Sequence, residues 1–174
     1  MSKYILLDVN GTVGTDTIPI LEKIENPDNF IWVDKVEAHI KLSTLSTIKR
    51  LCEEYDVTVL WCSLRADDPL CLNDLIDVDW GWLDVNSKVV RSNEWSKTAA
   101  IADFANEHPD DVIVLCDDML RVGGALWEIR GQAPSVHTII PSTTIGLTDA
   151  ELYGLERILE KNRKNTQRGK YGKS

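Results

Sequence analysis

Long apolar runs are missing from this chain. None approaches the ~18 consecutive apolar residues that a membrane-spanning helix needs, so no membrane contact is expected. The opening MSKYILLDVN also lacks the charged, apolar and small-residue order of a signal peptide, and a cytoplasmic protein is expected. Cysteine is scarce. Cys52, Cys62, Cys71 and Cys116 show no CxxC spacing and no neighbouring histidine pair, and two of them fall inside apolar runs. Reduced, structural thiols follow, and a zinc site does not. The three histidines, His39, His108 and His137, lie too far apart in the chain to suggest a metal triad. Internal repeats and low-complexity stretches are absent before the C-terminal tail. What is present, 43% hydrophobic against 27% charged residues over 174 positions, suffices for one domain with a real core and excludes general disorder or a fibrous repeat.

Charge is distributed unevenly. The net charge is −9, yet KNRKNTQRGKYGKS after Glu160 holds six Lys or Arg and no acid, so residues 1–160 carry −15. A domain over 1–160 and a basic, flexible tail over 161–174 are expected. Such a tail suits contact with nucleic-acid phosphates or serves as a solubilising end. The acidic body repels a long duplex unless a metal or a local basic pocket offsets it.

Short β-rich runs alternate with stretches of helical spacing, the pattern of an α/β fold with a parallel sheet covered by helices on both faces. The strands read as YILLD (4–8), VTVLWC (57–62), VIVLCD (112–117), the weaker HTII (137–140) and GWLDV (81–85). Near-continuous apolar strands of this kind are buried on both faces. Caps predict helices from Ser43 or Thr44 to about Glu54, from Asp67 or Asp68 with Pro69, from Ser96 to about Glu107, and from Thr148 onward. The segment from Gly14 to about Leu42 is too long for a bare turn and predicts a hairpin or small flap over the end of the first strand.

Ligands of open α/β sheets bind outside the carboxyl ends of the strands. Four polar residues stand there: Asp8, Ser63, Asp117 and Asp118. Asp8 runs into Val9, Asn10, Gly11 and Thr12, a glycine turn with a hydroxyl and backbone amides suited to an anion. Carboxylates converging from separate strands repel unless a divalent cation lies between them, and hard oxygen ligands with an incoming phosphate favour Mg2+. Lys97 is placed to neutralise a phosphate oxygen, and the Ser63 hydroxyl to hold one. Arg65 and Arg121 follow strand ends and are placed either to meet an anion or to form surface ion pairs.

In order, DVNGT (Asp8–Thr12), WCS (Trp61–Ser63), SK (Ser96, Lys97) and CDD (Cys116–Asp118) resemble the four motifs of the haloacid dehalogenase (HAD) superfamily. The resemblance spans about residues 3–160. WCS…ADDP and IIPSTTIGLTDAELYGLERIL resemble more particularly its small, capless members in bacteriophages and RNA-repair proteins. It implies a HAD-like, Rossmannoid sheet with no large cap. It also implies that Asp8 attacks phosphorus to form an aspartyl-phosphate, that Thr12, Ser63 and Lys97 hold the phosphoryl oxygens, and that Asp8, the Asn10 carbonyl and Asp117 hold Mg2+; Gly11 of the turn and Arg65 past the strand end are the further candidates for binding the substrate. Asp118 is then a supporting or alternative ligand.

One position departs from that pattern. The phosphatases carry a second Asp two residues past the nucleophile; this chain has Asn10, whose amide neither gives nor takes the proton. General acid-base catalysis is worth roughly 10²- to 10⁴-fold. The expectation is therefore a Mg2+-dependent phosphohydrolase acting on a nucleotide or a nucleic-acid terminal phosphate, with His39 or water standing in for the missing acid. The alternative is a weak or inactive HAD-fold protein that binds a phosphorylated ligand or a protein partner. Dehalogenation of a small haloacid fits a missing acid but needs an apolar pocket. Six tryptophans, among them Trp80, Trp82 and Trp95, suggest either base stacking and interface contacts or ordinary packing. Gly123 and Gly124 suggest a helix-opening turn, able in principle to take a phosphate.

Overall fold

A computed structural model of the chain describes residues 1–88 and 93–170, with side chains described through Arg163. The elements run β1 (Lys3–Leu7), β2 (Gly14–Thr15), α1 (Ile20–Glu25), β3 (Phe30–Val33), β4 (Ala38–Lys41), α2 (Leu42–Tyr55), β5 (Thr58–Trp61) and β6 (Gly81–Trp82). They continue as α3 (Thr98–Glu107), β7 (Val112–Cys116), α4 (Ala125–Gln132), β8 (His137–Ile139) and α5 (Asp149–Lys170). None of the described helices is long and apolar enough to cross a membrane.

Five strands form one parallel sheet in the order β6-β5-β1-β7-β8. Counting its strands along the chain, the order is 3-2-1-4-5, a Rossmann-like arrangement that reverses direction between β1 and β7. The alternation expected of a doubly covered sheet is visible residue by residue. Ile5 and Leu7 of β1 and Val112, Val114 and Cys116 of β7 pack into one core with Leu45, Ile48 and Leu51 of α2 and Leu152, Leu155 and Leu159 of α5. Leu6, Ile113 and Leu115 point the other way, into a core with Ile101 of α3 and Ile129 of α4. Successive residues of a strand face opposite ways, so a strand buried on both faces is apolar throughout.

Helix starts follow local chemistry. Thr148 begins α5 as expected: the Glu151 carboxylate accepts from both the Thr148 amide (2.6 Å) and its hydroxyl (2.8 Å), a capping-box arrangement. α2 starts one residue ahead of Ser43 because a distant side chain caps it, Asn29 Oδ1 accepting from the Ser43 amide at 2.9 Å. The helix expected from Asp68 is a 3-10 segment over Asp68–Leu75. There the Asn73 side chain accepts from the Trp61 indole and donates to the Trp80 carbonyl, fixing a tight crossing between β5 and β6.

The segment after β1 is more than a hairpin: β2, β4 and β3 form a three-stranded antiparallel sheet, with α1 before β3. Its Val36, Ala38 and Ile40 join the α2 core, which seats it at the carboxyl edge of β1. The first residues of the basic tail continue α5 as far as Lys170, and residues 171–174 lie outside the described residues.

Candidate functional site

Strand register brings the acidic residues together. Leu7 pairs with Cys116 and with Trp61, so the residues that follow emerge side by side at the point where the strand order reverses. The Asp8 amide donates to the Cys116 carbonyl at 3.0 Å and the Cys62 amide to the Leu7 carbonyl at 2.8 Å, carrying the ladder one step past each strand. Lys97, at the N-terminus of α3, reaches in from the opposite face.

Lys97 is only 2% exposed, and each proton of its ammonium has an acceptor. Nζ donates to Asp8 Oδ1 at 2.8 Å, to Asp117 Oδ2 at 2.5 Å and to the Cys62 carbonyl at 2.7 Å. Asp117, fully buried, accepts from the Met119 amide with its other oxygen at 2.9 Å. Asp118 is turned differently: Oδ2 accepts from the Thr143 hydroxyl at 2.7 Å, and Oδ1 is buried without a hydrogen-bond partner among the described residues. Ligand atoms of Asp8, Asp117 and Asp118 lie within 4.8 Å of one another. Three buried carboxylates thus cluster beside a single ammonium, which pairs with two of them.

The electrostatics follow. Burial, opposed by Lys97, pushes the Asp8 carboxyl up to about 7, and the charges of Asp117 and Asp118 add to the rise. Burial likewise raises Asp117 against the pull of Lys97. Burial opposes the charge of Lys97, but Asp8 and Asp117 outweigh it and hold the ammonium above its ordinary range.

Gly11 has a steric role. It adopts φ +81°, and a Cβ there would sit 2.3 Å from Asp118 Oδ2 and 2.4 Å from its Cγ. Only glycine lets this turn lie against that carboxylate. The turn's own carbonyls take its amides: Gly11 N donates to Gly14 O, and Thr12, Val13 and Gly14 N all donate to Val9 O. The expectation of amides free for an anion is therefore corrected at Gly11 and Thr12. The Thr12 side chain is buried with its hydroxyl unpartnered among the described residues, and its carbonyl accepts from Leu147 of the loop after β8.

A cleft of about 390 Å³ opens above these residues. Asp8, Asn10, Gly11, Ser63, Arg65, Lys97 and Asp118 line it, so most of the residues singled out by sequence converge; Thr12 and Asp117 are buried and not among the lining residues. Sequence reading missed Asp16, Leu64, Met119 and Thr143, which also line it, and gave Trp95 no more than an alternative. The hydroxyl-rich PSTT run following β8 was the available signal for Thr143, since it leaves the same sheet edge. Arg65 stands at the rim in an ion pair with Glu37 of the small sheet. The Trp95 ring lies 5.6 Å from the Lys97 ammonium.

Other candidates point elsewhere. Arg121 donates to the carbonyls of Ile140 (2.7 Å) and Pro141 (3.0 Å), tying a loop rather than facing the cleft. His39, on β4, meets the Trp32 ring edge-on with centroids 4.9 Å apart and is not among the residues lining the cleft. Trp80 is buried against Trp61, which makes it a core residue. Gly124 precedes α4, whose Glu128 carboxylate accepts from the Trp95 amide and the Thr98 hydroxyl, an internal brace between α4 and the start of α3. All four cysteines are free thiols, with Cys62 and Cys116 buried, as expected. Comparison of the chain with protein-family models, with curated proteins and with solved structures finds no match.

Proposed function

We propose that this chain is a Mg2+-dependent phosphohydrolase of the HAD type that acts, through an aspartyl-phosphate on Asp8, on a nucleotide or a nucleic-acid terminal phosphate. The observation that carries the reading is the charge imbalance at the sheet edge. Three buried carboxylates cluster beside one lysine, and Asp118 Oδ1 has no donor among the described residues. A buried carboxylate oxygen without a partner costs free energy unless a cation or donor completes it. The donor set is all hard oxygen, which fits Mg2+: Asp8, Asp118 and the Asn10 carbonyl would hold it, with Asp117 behind them. When bound, the ion offsets the charge of phosphoryl oxygens and makes phosphorus a better electrophile.

The chain's own groups supply the rest. With Oδ1 fixed by Lys97, Asp8 presents its second oxygen to phosphorus. The Ser63 hydroxyl lies in the cleft wall and would hold a phosphoryl oxygen, while Arg65 at the rim would meet the outer part of an anionic substrate. Trp95, Leu64 and Met119 give the cleft an apolar side suited to a base or another flat group next to the phosphate. The basic tail would draw nucleic acid toward an otherwise acidic surface.

The test is phosphate release with and without Mg2+ from an aryl phosphate, mononucleotides and phosphorylated oligonucleotide ends. Asp8→Asn should abolish release, and release surviving in that variant would rule out the aspartyl mechanism. Mg2+ binding without release from any substrate would instead favour a phosphate-binding protein whose Asn10 has ended turnover.

A further inference from the structure

We infer that Asp16 is the proton donor and acceptor of this site, in the role that the Asn10 amide cannot fill. The inference rests on the phosphohydrolase reading above and assigns its missing group.

Five side chains that line the cleft carry ionisable groups: Asp8, Asp16, Arg65, Lys97 and Asp118. Four are committed. Asp8 is the nucleophile. The protons of Lys97 are placed on Asp8, Asp117 and the Cys62 carbonyl. A guanidinium does not release a proton in proteins, and that of Arg65 is paired with Glu37. Asp118 is buried, accepts from the Thr143 hydroxyl and is assigned to the cation in that reading. Asp16 remains. Its carboxylate is exposed and makes no hydrogen bond or ion pair among the described residues.

The backbone explains how a residue six positions past Asn10 returns to the cleft. Asn10 bridges to Gly14, and the Gly11 amide donates to the Gly14 carbonyl at 2.7 Å, so the chain doubles back beside Asn10. Asp16 follows β2 directly, two residues beyond that bridge. Thr15 is anchored on one side of it, buried, paired with His39 across the small sheet and donating from its hydroxyl to the Thr17 carbonyl at 2.7 Å. The main chain at Asp16 is thereby fixed while its side chain stays uncommitted at the mouth. A general acid needs that combination, since it must meet leaving groups of different shape and then a water.

The chemistry balances. As the Asp8 oxygen bonds to phosphorus and the P–O bond to the alcohol breaks, the leaving oxygen takes the proton of the Asp16 carboxyl. The Asp16 carboxylate then removes a proton from the water that attacks phosphorus, the bond to Asp8 breaks, and phosphate leaves with both carboxyls restored.

The experiment compares kcat/KM of the full chain and its variants, with Mg2+, on an alkyl phosphate and on p-nitrophenyl phosphate. Asp16→Asn should lower the alkyl value by about 10²-fold or more and change the p-nitrophenyl value little, because nitrophenolate departs without a proton. The double variant Asp16→Asn, Asn10→Asp should regain the alkyl activity. An equal fall on both substrates, no fall, or a double variant as slow as Asp16→Asn overturns the assignment of Asp16. Release that is lost in Asp8→Asn but unmoved by Asp16→Asn overturns that assignment alone. A wild-type chain silent on both substrates overturns the phosphohydrolase reading and Asp16 with it.

Discussion

The floor and the rim of the cleft are built on opposite principles. On the floor, Lys97, Asp8 and Asp117 are all but excluded from water, and their hydrogen bonds are the only compensation for lost hydration. At the rim, Arg65 and Glu37 also join a basic to an acidic side chain, yet both remain well exposed. Attraction between unit charges scales inversely with the local dielectric, so the same chemistry is strongly coupled below and weakly coupled above. The floor can hold charge in one arrangement, while the exposed rim can exchange partners.

Three substitutions sharpen that contrast. Lys97→Met should have the largest effect, because it leaves Asp8 and Asp117 facing each other without their cation. Breaking a buried pair in this way costs about 3–5 kcal/mol, readable as a lower urea midpoint. A midpoint that barely moves would mean the floor is wetter than its burial implies. Next comes Gly11→Ala, which combines a left-handed φ of +81° with a Cβ placed 2.3 Å from the Asp118 carboxylate. The backbone strain alone is of order 1–3 kcal/mol, and if the proposed site takes Mg2+, the displaced carboxylate should also shrink whatever rise in Tm the ion gives the wild-type chain. An unchanged response to Mg2+ would remove Asp118 from the cation site. Smallest should be Glu37→Gln: an exposed pair is worth less than about 1 kcal/mol, so the urea midpoint should stay close to wild type. A shift rivalling that of Lys97→Met would erase the distinction between floor and rim.

Much of the sheet was legible because its strands are apolar on both faces. YILL, TVLW and VIVLC fall where β1, β5 and β7 lie. The convergence of Asp8, Ser63, Lys97 and Asp118 was legible for a related reason, since parallel strands deliver the residues after them to one edge. Less legible was anything resting on contacts between distant segments. That Asn29 caps α2, that Arg121 ties the Ile140 and Pro141 carbonyls, and that Asn73 draws the chain into a 3-10 segment depend on partners many residues away. The glycine turn misled in the same way: a DVNGT string offers amides, but the Val9 and Gly14 carbonyls that consume them come into range only when the turn closes.

By itself the sequence determined the layered α/β class, the free thiols, the acidic body and the identity of the strand-end residues. Periodicity, composition and residue type are local properties, and burial of apolar strands enforces them directly. Only the tertiary structure decided which of two neighbouring aspartates turns to the cleft. Asp117 is held below by Lys97 and the Met119 amide, and Asp118 lies against Gly11 under Thr143. It also decided that Asp16, just after a short strand of a separate sheet, lines the same cleft as Asn10. The physical reason is common to both: adjacent residues with the same side chain differ only in the neighbours that packing brings to them, and those neighbours are far away in the chain.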